Sequence, residues 1–281
     1  MFVETIEAVG TAVGVIEISK GVFPTFRKIF NRLKNGELTI AIFGAGGTGK
    51  TTLGKLLSGE FELGGLFQSY QESISIEQYK LDSDAIGSVI VAPGQSRRED
   101  TWDDLLRSLA NGKIKLVIHV VSWGYHSFGE FGYTEHRLYR NGMSLEEFLI
   151  EYTEDHRNRE LAVLKKIEPH LSIADQKKTI MITLVTKQDL WWKSRAEVSQ
   201  HYVDGEYERL IQDIRDKRGA YNFIHEYRST SLVMENFLSG VNELLVPTTQ
   251  GYDQRLKFAN FRYFLNAIEE LFEISLSVQE N

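Results

Sequence analysis

The residues of this chain best suited to chemistry stand at positions 44–52, which read Gly44-Ala45-Gly46-Gly47-Thr48-Gly49-Lys50-Thr51-Thr52. They follow the apolar run Leu38-Thr39-Ile40-Ala41-Ile42-Phe43, so a buried strand, a glycine-rich turn and a helix are expected in succession. That order is the context in which the pattern reads as a phosphate-binding loop. Glycines let the backbone curl until successive N–H groups converge on an anion, a path that β-carbons at every position would block. A helix starting near Gly49 adds unpaired N–H groups and the positive end of its dipole. Lys50 supplies a point charge for β- and γ-phosphates, and the Thr51 hydroxyl is a hard oxygen ligand for Mg²⁺. The expectation is a nucleoside triphosphate gripped by backbone amides and Lys50, with Mg²⁺ on Thr51.

Such a loop needs a sheet to hold it. Residues 38–43, 86–91, 115–121 and 179–185 are apolar or β-branched runs of the kind found in strands covered on both faces. Residues 74–81 alternate polar and apolar, as a half-exposed strand does. Helical stretches at 50–57, 101–109, 145–167 and 206–217 separate most of these. The link between 74–81 and 86–91 is too short for a helix and predicts an antiparallel hairpin. The alternation elsewhere predicts an α/β fold with a mainly parallel sheet and helices on both sides.

Composition narrows the possible partners. The 281 residues carry a net charge of −7, which argues against nucleic acid, because phosphate backbones call for a basic face. The chain has no cysteine, so disulfides, thiolate metal sites and cysteine nucleophiles are excluded, and a reducing cytoplasm is the expected setting. Glu4 and Glu7 occupy the place where a cleavable signal would be basic. The apolar stretch 8–18 is interrupted by Glu17 and is too short to span a bilayer.

Far downstream, Thr186-Lys187-Gln188-Asp189 follows the strand at 179–185. With the loop at 44–51, this tetrapeptide makes residues 36–247 resemble the P-loop GTPase superfamily, in particular the Ras-like and translation-factor-related domains. The tetrapeptide is similar to their Asn/Thr-Lys-x-Asp guanine motif. A carboxylate at Asp189 accepts guanine N1–H and N2–H together, and adenine would leave it unpaired. The Lys187 stem lies across a purine ring, and the Thr186 hydroxyl supplies a bracing hydrogen bond. Ser229-Thr230-Ser231, after the possible strand 223–227, is the nearest equivalent of the family's base-binding loop, with backbone N–H groups toward guanine O6.

Val91-Ala92-Pro93-Gly94-Gln95 stands where these GTPases carry Asp-x-x-Gly, often followed by Gln. By that resemblance Gly94 meets the γ-phosphate and Gln95 orients the attacking water. Val91, however, replaces the carboxylate that anchors Mg²⁺, and Pro93 stiffens a segment that has to move. Residues 59–73 correspond to the first switch, with Ser69 its best-placed hydroxyl for the metal. Asp82 and Asp84 read as solvated turn residues. The resemblance implies a three-layer P-loop NTPase fold (a Ras-like G domain) binding GTP or GDP with Mg²⁺, a molecular switch whose hydrolysis is slow or partner-dependent. Two alternatives stand beside it: a module that holds GTP permanently and does little chemistry, and a P-loop ATPase or nucleotide kinase.

The domain at 36–250 is flanked by helical segments at 1–35 and 251–281 and carries an insertion at 122–178. The insertion opens Ser122-Trp123-Gly124-Tyr125-His126-Ser127-Phe128-Gly129 and reads as a lid or contact surface. His119, His126, His136 and His156 share no metal-ligand spacing. The charged side chains Glu147, Glu151, Glu154, Asp155, Arg157 and Arg159 read as a solvated face, and Trp191-Trp192 as packing. A protein partner is expected at the switch regions, the insertion or the terminal helices. Packing against the core is the simpler role for those helices, and the basic cluster Arg27, Lys28, Arg32 and Lys34 lends slight support to peripheral membrane contact.

Overall fold

The computed structural model describes residues 25–58 apart from 26, 30 and 34, then 77–79, 88–94, 102–173 and 178–277. Strands β1 (Ile40–Phe43), β2 (Glu77–Tyr79), β3 (Val89–Val91), β4 (Leu116–Val121), β5 (Thr179–Val185) and β6 (Phe223–Ser229) form one sheet in the order β2-β3-β1-β4-β5-β6. The β2–β3 pair is antiparallel, as the short link predicts, and every other neighbouring pair is parallel. Along β1, Ile40 pairs with Val89 on one side and Leu116 on the other, which fixes the strand that feeds the glycine loop.

The period of two in each central strand sorts its side chains between two layers. Ala41, Phe43, Val117, Val121, Met181 and Val185 face a core with Trp102, Leu106 and Leu109 of α2 (Asp103–Ala110) and its start, Leu161, Leu164 and Ile167 of α3 (Leu145–Ser172), Tyr202 of α5 (Arg195–Val203), and Tyr207 and Ile211 of α6 (Glu206–Arg218). Ile40, Ile42, Leu116, Ile118, Val120, Ile180, Ile182 and Leu184 face the opposite core, with Leu53 and Leu57 of α1 (Lys50–Leu57) and Phe264, Ile268 and Phe272 of α7 (Gln254–Ser277). The fold is therefore the three-layer α/β arrangement expected, with β4 and β5 buried along their whole length.

Residues 25, 27–29 and 31–33 are helical, and Ile29 and Leu33 pack into the same core as α7. Arg32 pairs with Glu269 and Glu273 and lies over the Phe272 ring. Residues 27–29, 31–33 and α7 thus pack against each other and the sheet. No helix among the described residues is long and apolar enough to cross a membrane.

Much of the insertion is the long helix α3, which runs 28 residues and extends past the expected end at 167. It begins with a capping box: Ser144 Oγ accepts from Glu147 N at 3.2 Å while Glu147 Oε2 accepts from Ser144 N at 2.8 Å, which stabilises such a start by about 1 kcal/mol. The loop at 122–144 precedes it. That loop packs Phe128 against Phe148, Tyr152, Leu190, Phe237 and Leu245, beneath the hairpin β7 (Phe237–Leu238) and β8 (Leu244–Val246). Two further short elements, α4 (Gln188–Trp191) and α5, follow β5 and were not legible as helices in the periodicity.

Candidate nucleotide site

The glycine loop leaves β1 and enters α1 with Gly44, Gly47 and Gly49 at φ of 152°, 77° and 98°, conformations that side chains rarely tolerate. Thr48 and Lys50 are buried within it, and their side chains both turn to one carbonyl: Thr48 Oγ1 donates to Ala45 O at 3.0 Å and Lys50 Nζ at 2.7 Å. α1 carries no acidic residue in its first turn and no side-chain cap at Gly49. Gly94 comes close from the end of β3: a β-carbon there would lie 2.4 Å from Lys50 Nζ and 2.7 Å from Gly46 N. Pro93 is fixed behind it by the buried Trp102, whose Nε1 donates to Pro93 O at 3.1 Å.

The second half of the site comes from the carboxyl ends of β5 and β6. The Thr186 hydroxyl lies 2.7 Å from Thr48 O and 3.0 Å from Val121 O, joining this segment to the glycine loop across 138 residues of chain. Trp191 Nε1 donates to Thr186 O at 2.7 Å, so the first tryptophan of the pair is packing, and Trp192 stacks edge-on against Tyr252. Lys187 adopts φ 56° and donates from Nζ to Tyr125 O. Burial lowers its ammonium to about 8, with the charges of Asp189 and Glu160 resisting the shift. Asp189 is buried, and burial raises its carboxyl in spite of the Ser231 hydroxyl and the Lys187 charge that favour the ionised form. Ser231 meets it twice, accepting from Asp189 N at 2.9 Å and donating to Oδ1.

The structure thus brings Gly44–Thr52, Gly94, Thr186, Lys187 and Asp189 to one end of the sheet. Ser229 is the last residue of β6 and accepts from Gln188 Nε2 at 2.9 Å, bracing the motif. The N–H of Thr230 is spent on Val185 O at 3.1 Å, so that donor is not available to a base. Ser231 is the member of this trio that touches Asp189, and Leu232 lies beside Gly49. Gln95, Ser69, Asp82 and Asp84 lie outside the described residues. Val91 is buried in the apolar core, as a residue unable to ligate metal would be.

A strand, a glycine loop and a helix under a parallel sheet of this order, tied by Thr186 to a Thr-Lys-x-Asp turn, decide the architecture. The fold is a three-layer α/β domain with the Ras-like strand order. No family model and no curated protein matches the sequence. Among solved structures the chain is similar to the GTPase-like domain of Saccharomyces cerevisiae Ski7, bound to GDP and inorganic phosphate, at 16% identity and a TM-score of 0.41 over 82% of this chain and 49% of that one. It therefore spans about half the length of that protein chain. It is similar to the mammalian SRP receptor at 16% identity and TM-score 0.39, over 69% of this chain and 91% of that one. A small COPII coat GTPase from Encephalitozoon cuniculi in complex with GDP gives 10% identity and TM-score 0.41 over 96% and 97%. The fold assignment rests on the strand order and the glycine loop.

Three neighbouring contacts were missed in the sequence. Tyr125 O and Ser127 N sit against Lys187 and Gly47, and the buried Glu160 of α3 holds their segment. A signal for Glu160 existed: Phe148, Tyr152, His156, Glu160, Leu164, Ile167 and Leu171 repeat at helical spacing and are all buried, so the glutamate lies on the apolar face. The charged face is only partly solvated: Arg137 and Arg159 pair with Asp155, Arg140 pairs with Glu151, and Arg157 lies over the Trp123 ring. No group of three His, Asp or Glu side chains suited to a metal occurs among the described residues.

Proposed function

We propose that the protein binds guanine nucleotide at the glycine loop, with Asp189 selecting the base, and acts as a switch with slow or partner-dependent hydrolysis. The observation that carries this reading is the Thr186 hydroxyl on Thr48 O, which joins the glycine loop to the turn at 186–189 and supports a site shared between them. Gly44, Gly46, Gly47 and Gly49 offer backbone amides to phosphate oxygens, Lys50 neutralises charge, and Asp189 accepts the N1–H and N2–H of guanine.

Mg²⁺ fits the residues present only sparsely. Thr51, in the first turn of α1, would hold it together with phosphate oxygens, where it would neutralise charge on the phosphates. With Val91 buried and apolar, the anchoring carboxylate of the resembled family has no counterpart at its position. Gly94 lies close to Gly46 and Lys50, where a β-carbon on it would be 2.4 Å from Lys50 Nζ, so its N–H would meet a γ-phosphate held by Lys50. Loss of that phosphate would release the segment, which is the basis of a switch.

A second reading, a GTP-holding interaction module with little catalysis, is favoured by Val91 and by Pro93, whose carbonyl is fixed by Trp102. Measured affinities for GTP, GDP and ATP, with and without Mg²⁺, test the proposal, and single-turnover GTP hydrolysis separates the two readings. Tight GTP and GDP binding that Lys50→Ala abolishes is expected. Preference for ATP, or affinity unchanged in Lys50→Ala, overturns it.

A further inference from the structure

Glu160 is fully buried on α3 and gathers an unusual number of donors. Its Oε1 accepts from Ser122 N at 2.8 Å, Gly124 N at 3.2 Å and His126 Nε2 at 2.9 Å, while Oε2 accepts from the Tyr202 hydroxyl at 2.5 Å. The Tyr202 oxygen in turn accepts from Trp123 N at 3.2 Å. One carboxylate and one phenol therefore fix the strap 122–126. Gly124, at φ 77°, lies flat on α3, where a β-carbon would be 2.1 Å from Thr153 O. No lysine or arginine forms an ion pair with Glu160 among the described residues, so its burial is offset by these hydrogen bonds.

The other edge of the same strap meets the nucleotide site. Tyr125 O takes the Lys187 ammonium, and Ser127 N stands 2.4 Å from where a β-carbon on Gly47 would be. The lysine whose stem would flank the base is thus held at its tip by a carbonyl whose neighbours hang from Glu160. We propose that Glu160 is a positioning residue for the nucleotide site: by pinning 122–126 to α3 it holds Tyr125 O on Lys187 and Ser127 against Gly47, and so slows nucleotide release. This inference rests on the guanine-nucleotide reading given above. Glu160 touches neither base nor phosphate, and its effect is carried by the strap.

The test compares wild-type protein with Glu160→Gln and Tyr202→Phe, using fluorescent GDP and backbone hydrogen exchange. Glutamine removes the charge that strengthens several hydrogen bonds, and GDP release is expected to quicken by about ten-fold or more. Tyr202→Phe keeps the ring and loses one hydroxyl, and about five-fold faster release is expected. This second variant decides the matter if Glu160→Gln does not fold. Both variants are expected to keep wild-type association rates and wild-type preference for guanine over xanthine nucleotide, because Asp189 is untouched. In nucleotide-free protein, the amides of 122–127 and 45–48 are expected to exchange faster while β4 and β5 do not. A variant with a lowered melting temperature but wild-type GDP release and wild-type exchange at 122–127 overturns the proposal, since that is what a purely structural glutamate would give. If wild-type protein binds no guanine nucleotide, the nucleotide reading fails, and the release-slowing role falls with it. The exchange measurement then still reports whether Glu160 holds the strap.

Discussion

Acid should unfold this protein from within its sheet, because several histidines are buried as neutral rings. His119 on β4 is wholly buried, with Nδ1 2.5 Å from the Tyr207 hydroxyl and Nε2 without a hydrogen-bond partner among the described residues. Burial lowers it from 6.5 to about 4, with Glu160 opposing and Lys50 reinforcing the shift. His156 on α3 donates from Nδ1 to Tyr152 O at 2.7 Å and lies against the His126 ring, and burial lowers it from 6.5 to about 3. In each case the unfolded chain accepts a proton that the folded chain refuses. Stability is therefore intact above the unfolded value and lost as pH falls through 6.5 toward these lowered values. At pH 5 an unfolded imidazole is about thirty-fold protonated, so each of the two costs about 2 kcal/mol relative to pH 7, or about 4 kcal/mol together. That is a large part of the roughly 5–15 kcal/mol that holds a typical domain. His225, lowered by burial to about 3, acts in the same direction. The lowered carboxylates, Glu160 and Asp155 among them, lose their contribution only below the ordinary carboxylate range, so they do not confuse a comparison made at pH 5. Urea unfolding followed by tryptophan fluorescence at pH 7 and pH 5 measures the difference. His119→Gln, which cannot titrate, should remove about half of the two-histidine effect. A loss below about 1 kcal/mol, or a His119 ring signal titrating near 6.5 in the folded protein, would refute the reasoning.

Other perturbations address the site directly. Thr186→Val keeps the shape and deletes the hydroxyl on Thr48 O, so about ten-fold weaker GDP binding is expected by calorimetry, and wild-type affinity would show the brace to be idle. Asp189→Asn should exchange guanine for xanthine preference, read as the ratio of GDP to XDP affinities, and a retained preference for GDP counts against the base contact. Gly94→Ala puts a methyl 2.4 Å from Lys50 Nζ and 2.7 Å from Gly46 N, so GTP binding weaker by about ten-fold or more is expected by calorimetry, and wild-type affinity would refute the close approach.

The architecture was largely legible because its signals are local. Apolar runs gave β1, β4 and β5, with Thr179–Val185 matched at both ends, and helical spacing gave α1 at Lys50–Leu57. Within the 122–178 insertion the helix begins at the expected residue, 145, where the Ser144–Glu147 box caps it, and runs past the expected end at 167 to Ser172. β6 extends two residues past the expected end at 227 and so commits the Thr230 N–H to Val185 O. Strand ends of this kind are set by neighbouring strands and carry little mark in the local sequence.

Composition, periodicity and two short motifs determined the kind of fold, the glycine loop at 44–52 and the turn at 186–189, because each depends on residues adjacent in the chain. Only the tertiary structure decided that Thr186 braces Thr48, that Ser231 holds Asp189, that residues 27–29 and 31–33 pack against α7, and that a buried glutamate suspends the strap beside Lys187. Those facts join residues from different strands and helices, and their hydrogen bonds exist only once packing has excluded water around them.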